Sequence, residues 1–111
     1  MKKTIMLKKN YEFKKVLKKG KYYSGQVLEA FIIKNTNFNR IGIAISAKIA
    51  KAVKRNRIKR FIREAYLLNE KKIKEKVEIV FLCKKSVRAH EITFYDVKKD
   101  IEKILEGAQI I

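Results

Sequence analysis

An α+β sandwich, with helices packed on one small sheet, is the fold class that the chain's periodicities predict. Three observations carry it: strict apolar alternation in "RIGIAIS" at 40–46, a continuous apolar run in "VEIVFLC" at 77–83, and apolar stripes of helical period between about 49 and 69 and again after Thr93. Their order reads helix, two or three strands, helix, strand, helix, within a single domain over residues 1–111.

The first helix spans Tyr11 to Lys19, with Asn10 as its N-cap, Glu12 complementing its positive end and Gly20 closing it. Phe13 and Leu17 share one face of it, with Val16 beside them. "QVLEAFIIKN" then has strand character, Leu28, Ala30 and Ile32 pointing one way and Glu29, Phe31 and Ile33 the other; "NTNFN" at 35–39 is a turn. In the next strand Ile41, Ile43 and Ile45 face one side. Arg40, Gly42, Ala44 and Ser46 face the other, and their small or polar side chains predict a surface with no helix above it. A long helix from about Ile49 to Asn69 and the strand Val77 to Cys83 follow. Thr93 and Asp96 form a [ST]-x-x-[DE] cap for a closing helix that buries Val97, Ile101, Ile104 and Leu105.

The net charge of +18 and pI near 10.1 are far beyond what solubility asks of 111 residues. Such an excess repels itself and calls for a polyanionic partner, either nucleic acid or an anionic membrane surface. No apolar run approaches the roughly 20 residues of a membrane span, and the start "MKKTIMLKKNYEFKK" lacks the apolar stretch of a signal peptide, so a cytoplasmic protein is expected. Cys83, the only cysteine, excludes an intramolecular disulfide or a thiolate cluster and reads as a buried strand residue. His90, the only histidine, reads as a surface residue with no catalytic constellation around it.

The charge is concentrated in "KIAKAVKRNRIKRFIREAY", residues 48–66, where eight of nineteen side chains are Lys or Arg and one, Glu64, is acidic. On a helical wheel Ile58, Phe61, Ile62, Ala65 and Leu68 cluster on one side, which must face the sheet. Opposite lie Asn56, Lys59, Arg60 and Arg63, with Arg55 and Arg57 on the flanks; Lys54 falls within the apolar stripe, where its stem has to snorkel to the edge. Arg forks match phosphate oxygens, Lys adds a point charge, and Asn56 can both donate to and accept from a base or ribose edge. A merely solvated face would mix signs for i, i+4 pairing, and this one does not. The flanking strands argue against a DNA-binding helix-turn-helix and give the apolar stripe something other than a membrane to cover, so an RNA binder on a mixed sheet is the reading the residues favour.

At "AVKRNRIKRFIREAY" the chain also resembles the protein subunit of bacterial ribonuclease P, whose signature falls on Arg55, Asn56, Arg57, Lys59, Arg60 and Arg63. "LKKNYEFKKVLKKG" at 7–20 is similar to that family's opening helix, and "RIGIAISAKIAKAV" resembles its strand leading into the motif. The resemblance implies an αβββαβα sandwich with a left-handed βαβ crossover, of the ribosomal protein S5 domain 2-like kind. It implies a non-catalytic subunit of an endoribonuclease that removes the 5′ leader of precursor tRNA, the hydrolysis being done by a catalytic RNA with Mg²⁺ bound mainly by that RNA. The implied partners are the catalytic RNA and the leader, with no membrane and no DNA.

Catalytic-RNA contacts are implied for Lys48, Lys51, Arg55, Asn56, Arg57, Lys59, Arg60 and Arg63. A leader cleft is implied at Phe13, Lys15, Leu17 and Phe31, with no catalytic residue and no metal ligand in the protein. Stacking on unpaired bases suits Phe13 and Phe31, although plain core packing suits both equally well. The chain departs from the family at Leu17, where an aromatic is often found, at Ala47, where lysine is common, and at Ala50, where glycine is. A ribosomal or other structural RNA-binding protein remains the alternative, since it can share composition and fold.

Overall fold

The computed structural model describes residues 4–86 and 88–111. Its elements run β1 (Thr4–Met6), α1 (Asn10–Lys19), β2 (Lys21–Ser24), β3 (Leu28–Lys34), β4 (Asn39–Ala44), α2 (Ala52–Asn69), β5 (Val77–Cys83) and α3 (Phe94–Gly107), with short 3₁₀ turns at Glu70–Lys72 and Ala89–Glu91. The five strands form one mixed sheet in the order β1-β4-β5-β3-β2, where β4 is parallel to β1 and β5, and β3 is antiparallel to β5 and β2.

The expected αβββαβα order is therefore present, preceded by one further strand. Three residues are too few to show a period, and besides its pairing with β4 the strand is fastened by one polar side chain. Thr4 is buried, donates to Glu70 Oε2 at 2.7 Å and lies 2.8 Å from the Tyr66 hydroxyl. With its only proton on Glu70, Thr4 accepts from Tyr66, so the strand is fastened to the end of α2. Burial, together with the charge of Glu70 and against the pull of the Thr4 bond, pushes the Tyr66 phenol up to about 12.

Alternation along the strands splits the apolar residues between two faces. On one, Leu28, Ala30, Ile32, Ile41, Ile43, Ile79 and Phe81 meet the stripes of α2 and α3, including all of Val97, Ile101, Ile104 and Leu105. On the other, α1 covers a smaller cluster of Leu7, Val16 and Val80, edged by Phe13, Phe31, Ile33 and Leu82. The surface expected to lack a helix is thus partly covered. Gly42 is small because Phe13 lies directly over it: a Cβ there would come within 2.6 Å of the ring.

Four local expectations shift. Lys9, not Asn10, is the N-cap of α1, because the Glu12 carboxylate reaches back to accept from the Lys9 and Lys8 amides at 3.0 and 3.2 Å. α2 starts at Ala52, after a turn in which the Ile49 amide bonds to the Ser46 carbonyl. Leu68 is 57% exposed, while Tyr66 and Asn69 take the buried positions, because the core rotates toward the Thr4 contact at the end of the helix. The connection read at 35–39 is one residue shorter, since Asn39 already opens β4; Asn35 in it has φ 59°, a conformation Asn tolerates better than most side chains.

The β2–β3 connection is locked to α3 by a single buried carboxylate. Asp100 accepts from the backbone amides of Gln26 at 2.9 Å, Val27 at 2.7 Å and Leu28 at 2.9 Å. Its approach requires glycine at 25, where a Cβ would lie 2.4 Å from the Asp100 carboxyl carbon.

Hydrogen bonds to a charged acceptor contribute about 1.5–3 kcal/mol each, and an amide in place of the carboxylate would set N–H against N–H. Asp100→Asn is expected to cost roughly 2–4 kcal/mol, a fall in Tm on the order of 10 °C, and Gly25→Ala a similar amount. In the double variant the losses should be far from additive by denaturant titration, since both changes break one contact.

A second outcome concerns pH. An unfolded tyrosine titrates near 10 and folded Tyr66 near 12, so between these values the native state holds the extra proton and stability falls as pH rises. Tyr66→Phe should remove about 2 kcal/mol of that alkaline loss, seen as a shallower decline in denaturation midpoint above pH 10 than in the parent protein.

Candidate nucleic-acid interface

α2 divides its basic residues into two kinds. Arg55 is half-buried and donates from Nη1 to the Ala50 carbonyl at 2.7 Å, closing the loop that enters the helix. Arg57 is half-buried with its guanidinium 4.9 Å from the centre of the Phe61 ring, a cation–π contact. Phe61 is in turn set edge-on against Phe94 of α3, 5.9 Å away. These two arginines brace the helix. Asn56, Arg60 and Arg63 are exposed and Lys59 half-exposed, all on the outer face. Arg60 reaches Glu64 at 3.9 Å with both side chains solvated, an ion pair of little worth, and its guanidinium lies 5.8 Å from the Phe61 ring centre, farther than that of Arg57. Lys54 is exposed because the buried stripe begins one turn later, at Ile58.

The first turn of α2 contains no acid, and its N-cap is Lys51. Cations at the positive end of a helix oppose its dipole by about 0.3–1 kcal/mol each. Lys51 and Lys54 are therefore placed against the folding interest of their own helix. Lys48 is exposed in the turn just before it, where its amide bonds to Ser46 Oγ at 3.1 Å.

The second surface lies on the α1 side of the sheet. Register aligns Tyr22, Phe31, Val80 and Gly42 in one row across β2, β3, β5 and β4, and Ser24, Glu29, Leu82 and Ala44 in the next. Phe13 closes over Gly42 at the end of the first row. The second row is uncovered and floors a hollow of about 480 Å³, walled by Tyr22, Ser46, Ile49, Lys84 and Lys85. Phe31 meets Tyr22 with ring centres 5.3 Å apart and tilted by 59°. Phe13 and Phe31 are both half-buried and pack against the smaller core cluster.

Of the four cleft residues expected from sequence, Phe13 and Phe31 are brought to one row of the sheet. Leu17 is 36% exposed on α1. Lys15 lies elsewhere: it pairs with Glu78 at 3.7 Å and lines a separate depression with Lys34 and Arg40. The sequence reading did not single out Tyr22, Leu82, Lys84 or Lys85. The signal available was "CKK", two lysines directly after a buried strand. Cys83 itself is buried, and burial pushes its thiol up to about 11, so it is an inert wall residue. His90 is on the surface beside Glu91, 3.6 Å away.

Ile49 joins the two surfaces, since it lines the hollow on one side and, on the other, a depression with Lys51, Lys54, Arg88 and His90. Among the described residues no His, Cys, Asp and Glu side chains gather as a metal-ligand set, and no helix is long and apolar enough to cross a membrane.

Residues 1–109 match the Ribonuclease P family model. The chain belongs to the ribonuclease P protein family. The ribonuclease P protein component of Clostridioides difficile is 41% identical over 106 residues, covering 94% of this chain and 91% of that one, and the Clostridium novyi component is 36% identical over 111 residues. In structure, the RNase P protein of Staphylococcus aureus superposes with a TM-score of 0.81 at 28% identity, covering 95% of both chains. The Thermotoga maritima protein superposes at 0.80 with 26% identity, covering 92% of this chain and 96% of that one. Membership sets the ribosomal alternative aside: the protein component is the non-catalytic subunit of the endoribonuclease holoenzyme that matures tRNA 5′ ends.

The division within α2 is testable. Arg60→Ala and Arg63→Ala should leave Tm within about 1–2 °C but weaken binding to ribonuclease P RNA and lower the slope of log K against log salt by roughly 1 each. Arg55→Ala and Arg57→Ala should lower Tm by several degrees, about 1 kcal/mol, through lost internal contacts.

Proposed function

We propose that the two surfaces serve two RNAs of one complex. The outer face of α2, through Asn56, Lys59, Arg60 and Arg63 and led in by Lys48 and Lys51, seats on the catalytic RNA; Arg55 and Arg57 hold that face in position. The hollow beside Phe13 and Phe31 takes the single-stranded 5′ leader of precursor tRNA, with bases against aromatic edges and phosphates toward Lys84 and Lys85. Leu17 contributes apolar contact rather than a stacking platform. Lys15 serves the rim of the neighbouring depression and not the hollow itself.

The observation that carries this reading is the pairing of a cation-rich helix face whose one counter-charge is Glu64 with a half-apolar hollow. In this scheme Mg²⁺ is bound by the RNA, the protein supplies no ligand set for it, and the scissile chemistry belongs to the RNA. What the chain does is neutralise phosphate charge where leader and catalytic RNA converge. That lowers the Mg²⁺ needed for cleavage and raises affinity for precursor over mature tRNA. The reading places the protein in the cytoplasm, with structured RNA preferred over duplex DNA and membranes.

The deciding experiment is cleavage of precursor tRNA by a bacterial ribonuclease P RNA at low Mg²⁺, with and without the protein. A mature 5′ end is expected only when the protein is present, and its affinity advantage for leader-bearing over leaderless tRNA should fall steeply with salt. Phe13→Ala combined with Phe31→Ala should reduce that advantage about tenfold or more, at roughly 1–3 kcal/mol per lost base stack. An unchanged advantage would remove the leader from this hollow.

A further inference from the structure

Glu29 is out of place on a surface for polyanions. It is the second residue of β3, on the uncovered row, opposite Ser24 on one side and Leu82 on the other, and it lines the hollow together with Lys84 and Lys85. Among the described residues it stands in no ion pair, although the two lysines share its hollow. Its one recorded partner is the Tyr22 hydroxyl, which donates to Oε2. That bond fixes the carboxylate at the floor, and it raises the Tyr22 phenol above its ordinary value by stabilising the protonated form.

A carboxylate is an acceptor with about four lone-pair directions across two oxygens, and Tyr22 fills one. A phosphate brought to the floor would be repelled. A nucleobase presenting N–H groups would be accepted, its face toward the Tyr22 and Phe31 rings. Bases differ in what they can offer. Guanine presents N1–H and the 2-amino group side by side, matching two carboxylate oxygens; cytosine and adenine each present one exocyclic amine; uracil has no amine, and its single N3–H is flanked by carbonyls that the carboxylate repels.

We propose that Glu29, positioned by Tyr22, is a specificity-determining residue that reads the edge of one leader nucleotide, favouring amino-bearing bases, guanine most, and rejecting uracil. The inference rests on the hollow being the leader site. It also assigns polarity to the hollow: base edge down onto Glu29, backbone out toward Lys84 and Lys85. A charge that weakens general affinity is then exchanged for discrimination, because a wrong base leaves the carboxylate desolvated and unpaired.

The test uses the reconstituted holoenzyme and precursor tRNAs that differ only in the leader. Each leader position near the cleavage site is set in turn to G, inosine, A, C or U, and affinity is compared with that for the leaderless tRNA. At one position G is expected to bind at least about tenfold tighter than U, with inosine, which lacks the 2-amino group, in between. Glu29→Gln, nearly isosteric and still able to accept from Tyr22, should compress that ratio to within about twofold while the affinity for the uracil leader rises. Tyr22→Phe should give an intermediate ratio, since it frees the carboxylate without removing it.

If leader-bearing RNA retains its advantage but no position responds to Glu29→Gln, the specificity role is overturned and the cleft reading stands. If the leader confers no advantage on the parent protein, both fall.

Discussion

The allocation of its few acids is the constraint on which the rest of this protein depends. Eleven acidic residues face twenty-nine basic ones, and five of the eleven are engaged in holding the fold together. Asp100 holds three backbone amides of the β2–β3 connection, Glu12 caps α1 and reaches Arg40, Asp96 caps α3, and Glu70 fastens Thr4. Glu78 is buried beneath Lys15. Each satisfies a donor that would otherwise be left at a helix end, a loop or a core boundary, where an unmet group costs about 1–3 kcal/mol. The structure is thus stabilised by negative charge at points where geometry demands it, and α2 is left with one acid on its exposed side. Positive potential on that face follows from the fold's own requirements as well as from the count of lysines and arginines.

Packing governs the second surface in the same way. β4 presents isoleucines to the large core and glycine and alanine to the other face. Without a side chain at 42, Phe13 can descend onto the sheet, which draws α1 over one row and leaves the next row open. The hollow is therefore a consequence of helix placement: a ten-residue helix covers part of a five-stranded sheet, and what remains is lined by the residues of one strand register. Phe13 and Phe31 lie half-buried at that boundary, packed against the smaller core cluster.

Periodicity made most of this legible. The β5 strand, the α3 cap and stripe, and the outward set Asn56, Lys59, Arg60 and Arg63 are properties of local spacing, and spacing survives folding. What escaped depends on contacts distant in sequence. Thr4 is an unremarkable residue until Tyr66 and Glu70 arrive from the end of α2, and the same contact turns the helix so that Leu68 is exposed. Gly42 reads as part of an empty face until Phe13 is placed above it. Lys15 on α1 pairs with Glu78, whose register partner on β3 is Ile33, one row away from the Phe31 and Val80 pair. That Tyr22, Glu29, Lys84 and Lys85 line one hollow is visible only once the strands and the loop after β5 are placed together.

The start of α2 shows how stability and function are set against each other here. Lys51 and Lys54 crowd the positive end of a helix whose first turn has no acid, while the Arg55 fork is spent on the Ala50 carbonyl to hold that same turn. Left alone, this end is the part of α2 with least support: its stripe is buried only from Ile58 onward. A phosphate placed there would meet free helix amides, two ammonium groups and an arginine-braced loop at once, relieving repulsion and completing the helix end in one step. Binding energy and folding energy are then linked at this turn, so RNA that engages it should tighten the protein as the protein tightens the RNA. Ile49 lines both the hollow and the depression beside this turn, so the two surfaces share one side chain.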